Sequence, residues 1–201
     1  LFEERPELKI EAEKLQRAFD LRVRDLPNGI FNRKDGEPYI IPVVFHIIHD
    51  NGPENISNEQ VMNAIEEMTM DFNAENIDLP LVNPAFADIA GNVGIEFRLA
   101  KRDPDGNCTN GIVRTQSSTT YAGGENLKSV SPIWDRSRYL NIWVCKIIAS
   151  GAAGYTYYPS TLNGSFGETN DGIVVRYDYV GSVGESTGGR RHTLTHEVGH
   201  W

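Results

Sequence analysis

Apolar positions along this 201-residue chain follow two different periods, and the changes of period divide it into elements. Between residues 3 and 24, Leu8, Ala12, Leu15 and Phe19 recur at three- and four-residue steps, which predicts one apolar face of a helix. Pro6 suits the first turn of that helix. The next stretch, DLPNGIFNRKDGEPY, collects turn formers (Pro-Asn-Gly, Lys-Asp-Gly, Glu-Pro), so the chain changes character near residue 36. Residues 1–36 therefore read as a helical leader with a linker, and residues 37–201 as the main domain.

The main domain opens on IPVVFHII, residues 41–48, which is rich in β-branched residues and apolar on both faces. Such a run predicts a central strand covered on both sides. Ser57 followed three residues later by Gln60 forms a capping box, and Val61, Ile65, Met68 and Phe72 then fall on one stripe of a helix running to about Asn76. That helix is expected to cross back over the sheet. Further strands are predicted at IEFRLA (95–100) and GIVRT (111–115), joined by a turn-rich hairpin at DPDGNCTNG. Three more follow at YLNIWVCKII (139–148), GYTYYP (154–159) and DGIVVRYDYV (171–180). A last helix begins near His192 or Thr193.

Charge narrows the choice of partners. A formal net charge of -9 and a pI near 5.0 give no reason to approach nucleic acid or an anionic membrane. The longest apolar cluster, YIIPVVFHII, is broken by Pro42 and His46 and falls short of the roughly 18 apolar residues a membrane span needs. The first residues carry neither a basic nor an apolar signal region, so no signal peptide is visible and any export signal is expected to have been removed ahead of Leu1. Cys108 and Cys145 are the two cysteines; their count alone permits one disulfide and equally permits two buried free thiols.

The chemistry concentrates in RRHTLTHEVGHW, residues 190–201. On a helix, residues four apart lie about 40° apart around the axis, so His196 and His200 project from one face and can reach one metal ion. Glu197, beside the first of them, is placed to take a proton from a water activated by that metal. Leu194, Val198 and Trp201 point elsewhere and can pack the helix on the core. The competing reading is a chance match on a surface helix. His46 and His49 are three apart on a strand, so they point to opposite faces and read as core or hydrogen-bonding residues. His192 reads as a residue that caps or flanks the last helix.

In order along the chain, IPVVFHIIHD, NISNEQVMNAIEEMTMDFNAEN, IEFRLAKRDPDGNCTNGIVR, YLNIWVCKI, GYTYYP, DGIVVRYDYVGS and RRHTLTHEVGHW resemble the pappalysin family of metzincin zinc metallopeptidases, especially its bacterial secreted members. The resemblance covers residues 38–201. It implies an α+β fold, the zincin-like upper subdomain: a mixed, mostly parallel five-stranded sheet with an antiparallel edge strand, a backing helix and an active-site helix. It implies His196 and His200 as zinc ligands, Glu197 as general base, and an edge strand at Gly154, Tyr155 and Thr156 whose backbone pairs with an extended substrate peptide. For Gly154–Thr156, an ordinary edge strand is the competing reading.

The same resemblance makes residues 1–36 a prosegment and the intact protein a secreted endopeptidase acting on polypeptides. It also favours a disulfide between Cys108 and Cys145. The family's zinc motif reads H-E-x-x-H-x-x-G-x-x-H, which puts the third histidine six residues past His200 and so past Trp201. The methionine-bearing turn and the specificity pocket are expected there too, as are any calcium sites. The chain by itself is accordingly expected to be weakly active or inactive, with its own C-terminal half as a partner. A non-catalytic fragment or peptide-binding domain is the alternative.

Overall fold

The apolar run near residue 40 forms the middle of a sheet. In a computed structural model of the chain, residues 37–87, 90–162 and 164–201 are described, with Ile10, Glu13, Lys14 and Arg17. The predicted leader face of Leu8, Ala12, Leu15 and Phe19, and the boundary at residue 36, lie outside the described residues. The elements follow as β1 (Tyr39–His49), α1 (Asn58–Phe72), the single turn α2 (Pro84–Ala87), β2 (Ile95–Leu99), β3 (Ile112–Gln116) and α3 (Asn126–Val130). Then come β4 (Leu140–Cys145), β5 (Gly154–Thr156), α4 (Gly164–Asn170), β6 (Ile173–Arg176) and α5 (Thr193–His200).

The strand order is β2-β1-β4-β6-β5, with β3 also paired to β1. Every pairing is parallel except β5 with β6, which places one antiparallel strand at an edge. The expected five-stranded sheet is thus present as five positions, one of them shared by two strands. β2 pairs Tyr39–Val43 and β3 pairs Phe45–His49, both on the side of β1 away from β4. This corrects the hairpin predicted between them. Two strands that are both parallel to β1 cannot be antiparallel to each other, so residues 100–111 form an excursion closed by the Arg102–Cys108 bridge. Gly111, at φ 75°, lets the chain rejoin: a Cβ there would lie 2.8 Å from the Ala100 nitrogen.

β1 is buried on both faces from Val43 to Ile48, as its sequence requires. On one face Val43, Phe45 and Ile47 join Leu140, Ile142, Val144, Ile173 and Val175 beneath Val61, Ala64 and Met68 of α1 and Leu194 and Val198 of α5. Ile48, Trp143 and Cys145, on the other face, pack with Leu127 and Ile148. At about 1.5–3 kcal/mol for each fully buried large apolar side chain, the first cluster is the main source of cohesion, and it ties α5 to the sheet.

Ser57 caps α1 by accepting from the Gln60 backbone N–H at 3.2 Å. The reciprocal half of the capping box is absent, because the Gln60 side chain turns inward. Its Nε2 donates to the Tyr177 and Val180 carbonyls at 2.9 and 3.0 Å, and its Oε1 accepts from Glu185 N–H at 3.0 Å. Asn73 closes α1 earlier than predicted by donating to the Thr69 and Ile95 carbonyls, and Ala74 follows at φ 55°. The predicted strand at 171–180 ends at Arg176, where residues 177–179 tighten into a 3-10 turn.

The disulfide implied by the resemblance is not formed: Cys108 is an exposed free thiol and Cys145 a buried one. Cys108 belongs to the excursion on one side of β1 and Cys145 to β4 on the other. Two strand spacings, about 10 Å, exceed the roughly 4.4–6.8 Å between Cα atoms that a disulfide allows. Burial pushes the Cys145 thiol up to about 12, away from thiolate chemistry.

His46 points into the second face, where Trp143 stacks on it with centroids 4.8 Å apart. Its Nε2 donates to Asn141 Oδ1 at 3.1 Å, and its Nδ1 accepts from Ser131 Oγ at 2.8 Å. Both His46 and His49 are buried, in keeping with their reading as core or hydrogen-bonding residues.

Candidate active site

α5 forms where the sequence places Leu194 and Val198 four apart, and those two side chains are 1% and 6% exposed against the sheet. The burial fixes which side of the helix faces inward and leaves His196 and His200 on the other. Their Nε2 atoms lie 3.0 Å apart, with ring planes at 87°. Tyr158 backs the His200 ring edge-on at 5.2 Å.

Glu197 occupies the flank between the imidazole pair and the sheet. It is only 8% exposed, and burial raises its pKa while the nearby His196 and His200 pull it down. Its carboxylate has no hydrogen-bond partner among the described residues, so both oxygens are available to a water or a substrate proton. Directly across from it stands Gly154: a Cβ built there would meet Glu197 Cγ at 3.2 Å and Oε1 at 3.3 Å. The glycine allows β5 to approach the carboxylate this closely.

β5 runs antiparallel to β6, with Gly154 opposite Val175, Tyr155 opposite Val174 and Thr156 opposite Ile173. It ends the strand order, so its outer edge pairs with no other strand among the described residues. Tyr155 points to the opposite face from Gly154 and packs with Trp143 and Val174. Its hydroxyl donates to Glu125 Oε1 at 2.8 Å, while Lys128 Nζ holds Glu125 Oε2 at 2.8 Å. Lys128 is buried, its ammonium 5.2 Å above the Trp143 ring and hydrogen-bonded to the Asn170 carbonyl. The tyrosine is pushed well above its ordinary pKa by burial and by the Glu125 charge, and so remains a hydrogen-bond donor.

His192 stands at the N-cap of α5 without a side-chain capping bond. Its ring instead bridges two carboxylates, Nδ1 to Asp71 Oδ2 at 2.8 Å and Nε2 to Asp78 Oδ2 at 2.7 Å. Thr195 Oγ1 also donates to Asp71 Oδ2, at 2.6 Å. Trp201 Nε1 donates to Asp171 Oδ1 at the other end of the helix, at 2.8 Å. The predicted residues His196, His200, Glu197 and Gly154 thus come together, with Tyr155 and Thr156 continuing the strand beside them. Sequence reasoning did not single out Asp71, Asp78, Thr195 or Glu125. For Asp71 a signal was present, since a carboxylate in the last turn of α1 opposes that helix's own dipole.

The family model described as "Pregnancy-associated plasma protein-A" matches residues 123–201, the part that contains β4, β5, β6 and α5. The chain is similar to mature mirolysin of Tannerella forsythia, solved in complex with a cleaved peptide: 38% identity, TM-score 0.74, covering 82% of this chain and 63% of that one. Residues 123–201 match the pappalysin family.

A Tannerella forsythia promirolysin mutant is similar at 35% identity and TM-score 0.75, covering 96% of this chain and 66% of that one. An extracellular metalloprotease of Arthroderma gypseum is 23% identical over 163 residues, 80% of this chain and 46% of that protein. The chain thus spans just under two thirds of the length of these solved relatives and about half of the curated one.

The family implies zinc, and the donor set can be tested against it. A tetrahedral zinc ion holding two imidazoles at about 2.0–2.1 Å needs their nitrogens about 3.3 Å apart. The 3.0 Å between His196 Nε2 and His200 Nε2 is within a small side-chain adjustment of that spacing. The two histidines therefore fit as part of a zinc ligand set. Among the described residues, no third histidine, cysteine or carboxylate joins them to make a group of three.

Proposed function

We propose that the protein is a secreted, zinc-dependent endopeptidase that hydrolyses peptide bonds of extracellular proteins, with His196 and His200 as metal ligands and Glu197 as general base. The observation that carries this reading is the convergence of the two imidazole nitrogens, 3.0 Å apart, beside a buried carboxylate that has no hydrogen-bond partner among the described residues. When bound, zinc would supply a water whose pKa is lowered toward about 7 and would polarise the scissile carbonyl. Glu197 accepts the proton of the attacking water and returns it to the leaving amine nitrogen. Its raised pKa, set by burial, brings it nearer the range in which one carboxylate both takes and gives a proton at neutral pH.

The outer edge of Gly154–Thr156 offers backbone donors and acceptors to an extended polypeptide, which would add as a further strand and lie with its carbonyl beside Glu197. Residues 1–36 are read as a prosegment. The share of this chain matched rises from 82% with mature mirolysin to 96% with promirolysin, which supports that reading. Residues 37–201 are read as the N-terminal subdomain of the catalytic domain, completed by the family's third histidine and by a C-terminal half in which calcium sites would also lie. Export agrees with the extracellular relative, and no helix among the described residues is long and apolar enough to cross a membrane.

The test is Glu197→Ala in the full natural protein, with casein or gelatin as substrate and zinc content measured alongside. Proteolysis should fall by about 10²–10⁴-fold with zinc retained. Unchanged proteolysis would remove Glu197 from the mechanism. A wild-type protein that binds peptides and zinc without cutting would favour a binding domain instead.

A further inference from the structure

We propose that Asp71 is a positioning residue for the metal-binding pair: through Thr195 and His192 it sets the rotation of α5 about its own axis, and so the direction in which His196 and His200 point. The inference rests on the reading of those two histidines as zinc ligands. A helix of eight residues with two buried apolar side chains on one side is held inward but can still roll. At 100° per residue, Leu194 and Val198 mark the inward side, Glu197 one flank and Thr195 the opposite flank. The Glu197 flank rests on Gly154 of β5. The Thr195 flank is held by the carboxylate of Asp71, which takes the Thr195 hydroxyl at 2.6 Å and His192 Nδ1 at 2.8 Å on the same oxygen. Opposed contacts on two flanks fix an angle that burial alone leaves free.

Asp71 does this against the preferences of its own helix. It occupies the last turn of α1, where a carboxylate faces the negative end of the dipole and that turn itself carries no basic residue. Its side chain is 7% exposed, and the second oxygen, Oδ1, is buried with no hydrogen-bond partner among the described residues. A group that breaks a local rule in one helix while making two bonds to another is retained for the second. Asp78 holds the far nitrogen of His192 at 2.7 Å, and Asn76 donates to Asp78 Oδ1 at 2.7 Å. The clamp therefore has a second anchor in the loop that follows α1.

Thr195→Val, Thr195→Ser and Asp71→Asn in the full natural protein test this, with His196→Ala as reference. The measurements are zinc affinity by chelator competition, the visible spectrum of the cobalt-substituted protein, and the melting temperature of the metal-free form. Valine keeps the shape of threonine and loses only the hydroxyl. Thr195→Val should weaken zinc binding by about 10-fold, as loss of a group orienting a metal ligand does, and should alter the cobalt spectrum. Thr195→Ser should restore both, and Asp71→Asn should behave like Thr195→Val. If Thr195→Val binds zinc as the wild type does while His196→Ala loses it, the positioning role is wrong and the zinc reading stands. If His196→Ala also leaves zinc binding unchanged, both fall. A drop in melting temperature for Thr195→Val with affinity and spectrum intact would reduce Asp71 to a structural residue and overturn the proposal.

Discussion

Gly154 and Glu197 touch across the gap between the edge strand and the last helix, so closely that a single added methyl would sit 3.2 Å from one side-chain carbon and 3.3 Å from one carboxylate oxygen. This contact joins the residue proposed to move the proton to the strand proposed to hold the peptide. It also makes the first prediction. Gly154→Ala should push the carboxylate aside by a few tenths of an ångström, because the Val174 carbonyl, 3.3 Å from the new methyl, prevents the strand from yielding. Misplacement by 1 Å costs about 100-fold in rate, so a fall of about 10-fold in kcat/KM is expected with little loss of zinc. Steady-state kinetics on a peptide substrate checks it, and an unchanged kcat would mean that Glu197 is not held where the reaction needs it.

Tyr155→Phe removes the hydroxyl that ties β5 to Glu125, 2.8 Å away. Glu125 retains its ion pair with Lys128, so the loss should be about 1.5–3 kcal/mol of stability, the scale of one hydrogen bond to a charged group. Because Tyr155 lies on the face away from Glu197, KM for peptides should rise more than kcat falls. Denaturant unfolding and the KM-against-kcat comparison give the two readings.

Gln60→Leu strips three bonds from the loop that leads into α5, leaving the carbonyls of Tyr177 and Val180 and the Glu185 N–H without their partner. At about 1 kcal/mol per bond the expected cost is about 3 kcal/mol. Chemical denaturation should show it as a lower midpoint. A loss below about 1 kcal/mol would mean that water replaces the amide at all three groups.

His46 sets an acid limit on stability. Burial, only partly offset by its bond to Asn141, lowers its pKa from 6.5 to about 4. The unfolded chain therefore takes up a proton below about pH 6.5 that the folded chain refuses until about pH 4. The stabilisation from a neutral His46 is fully present above pH 6.5 and is lost as pH falls toward 4, by about 3 kcal/mol at 1.36 kcal/mol per pH unit. His46→Gln should flatten this part of the stability curve, as measured by unfolding between pH 4 and 7.

Legibility in the sequence followed the range of the forces involved. β1 was readable because burial on both faces writes an unbroken apolar run, and α1 because its stripe and its Ser57 cap are local. The imidazole pair was readable because four-residue spacing on a helix is geometry within one turn. Between β2 and β3 the predicted hairpin does not form: turn residues announce a reversal but do not say which strand the returning segment pairs with. The disulfide implied by the family resemblance is equally beyond local reading, since nothing local says that β1 runs between Cys108 and Cys145.

The sequence by itself determined the strands, the backing helix and the chemistry of the final helix, because each is set by side-chain periods and spacings within a few residues. Only the tertiary structure decided what stands around that chemistry. The Asp71 carboxylate meets Thr195 across 124 positions of chain, and Gly154 meets Glu197 from the edge of a sheet. Contacts of that separation depend on how layers stack and which strands become neighbours, and the stacking is settled by collective burial that no single stretch of residues records.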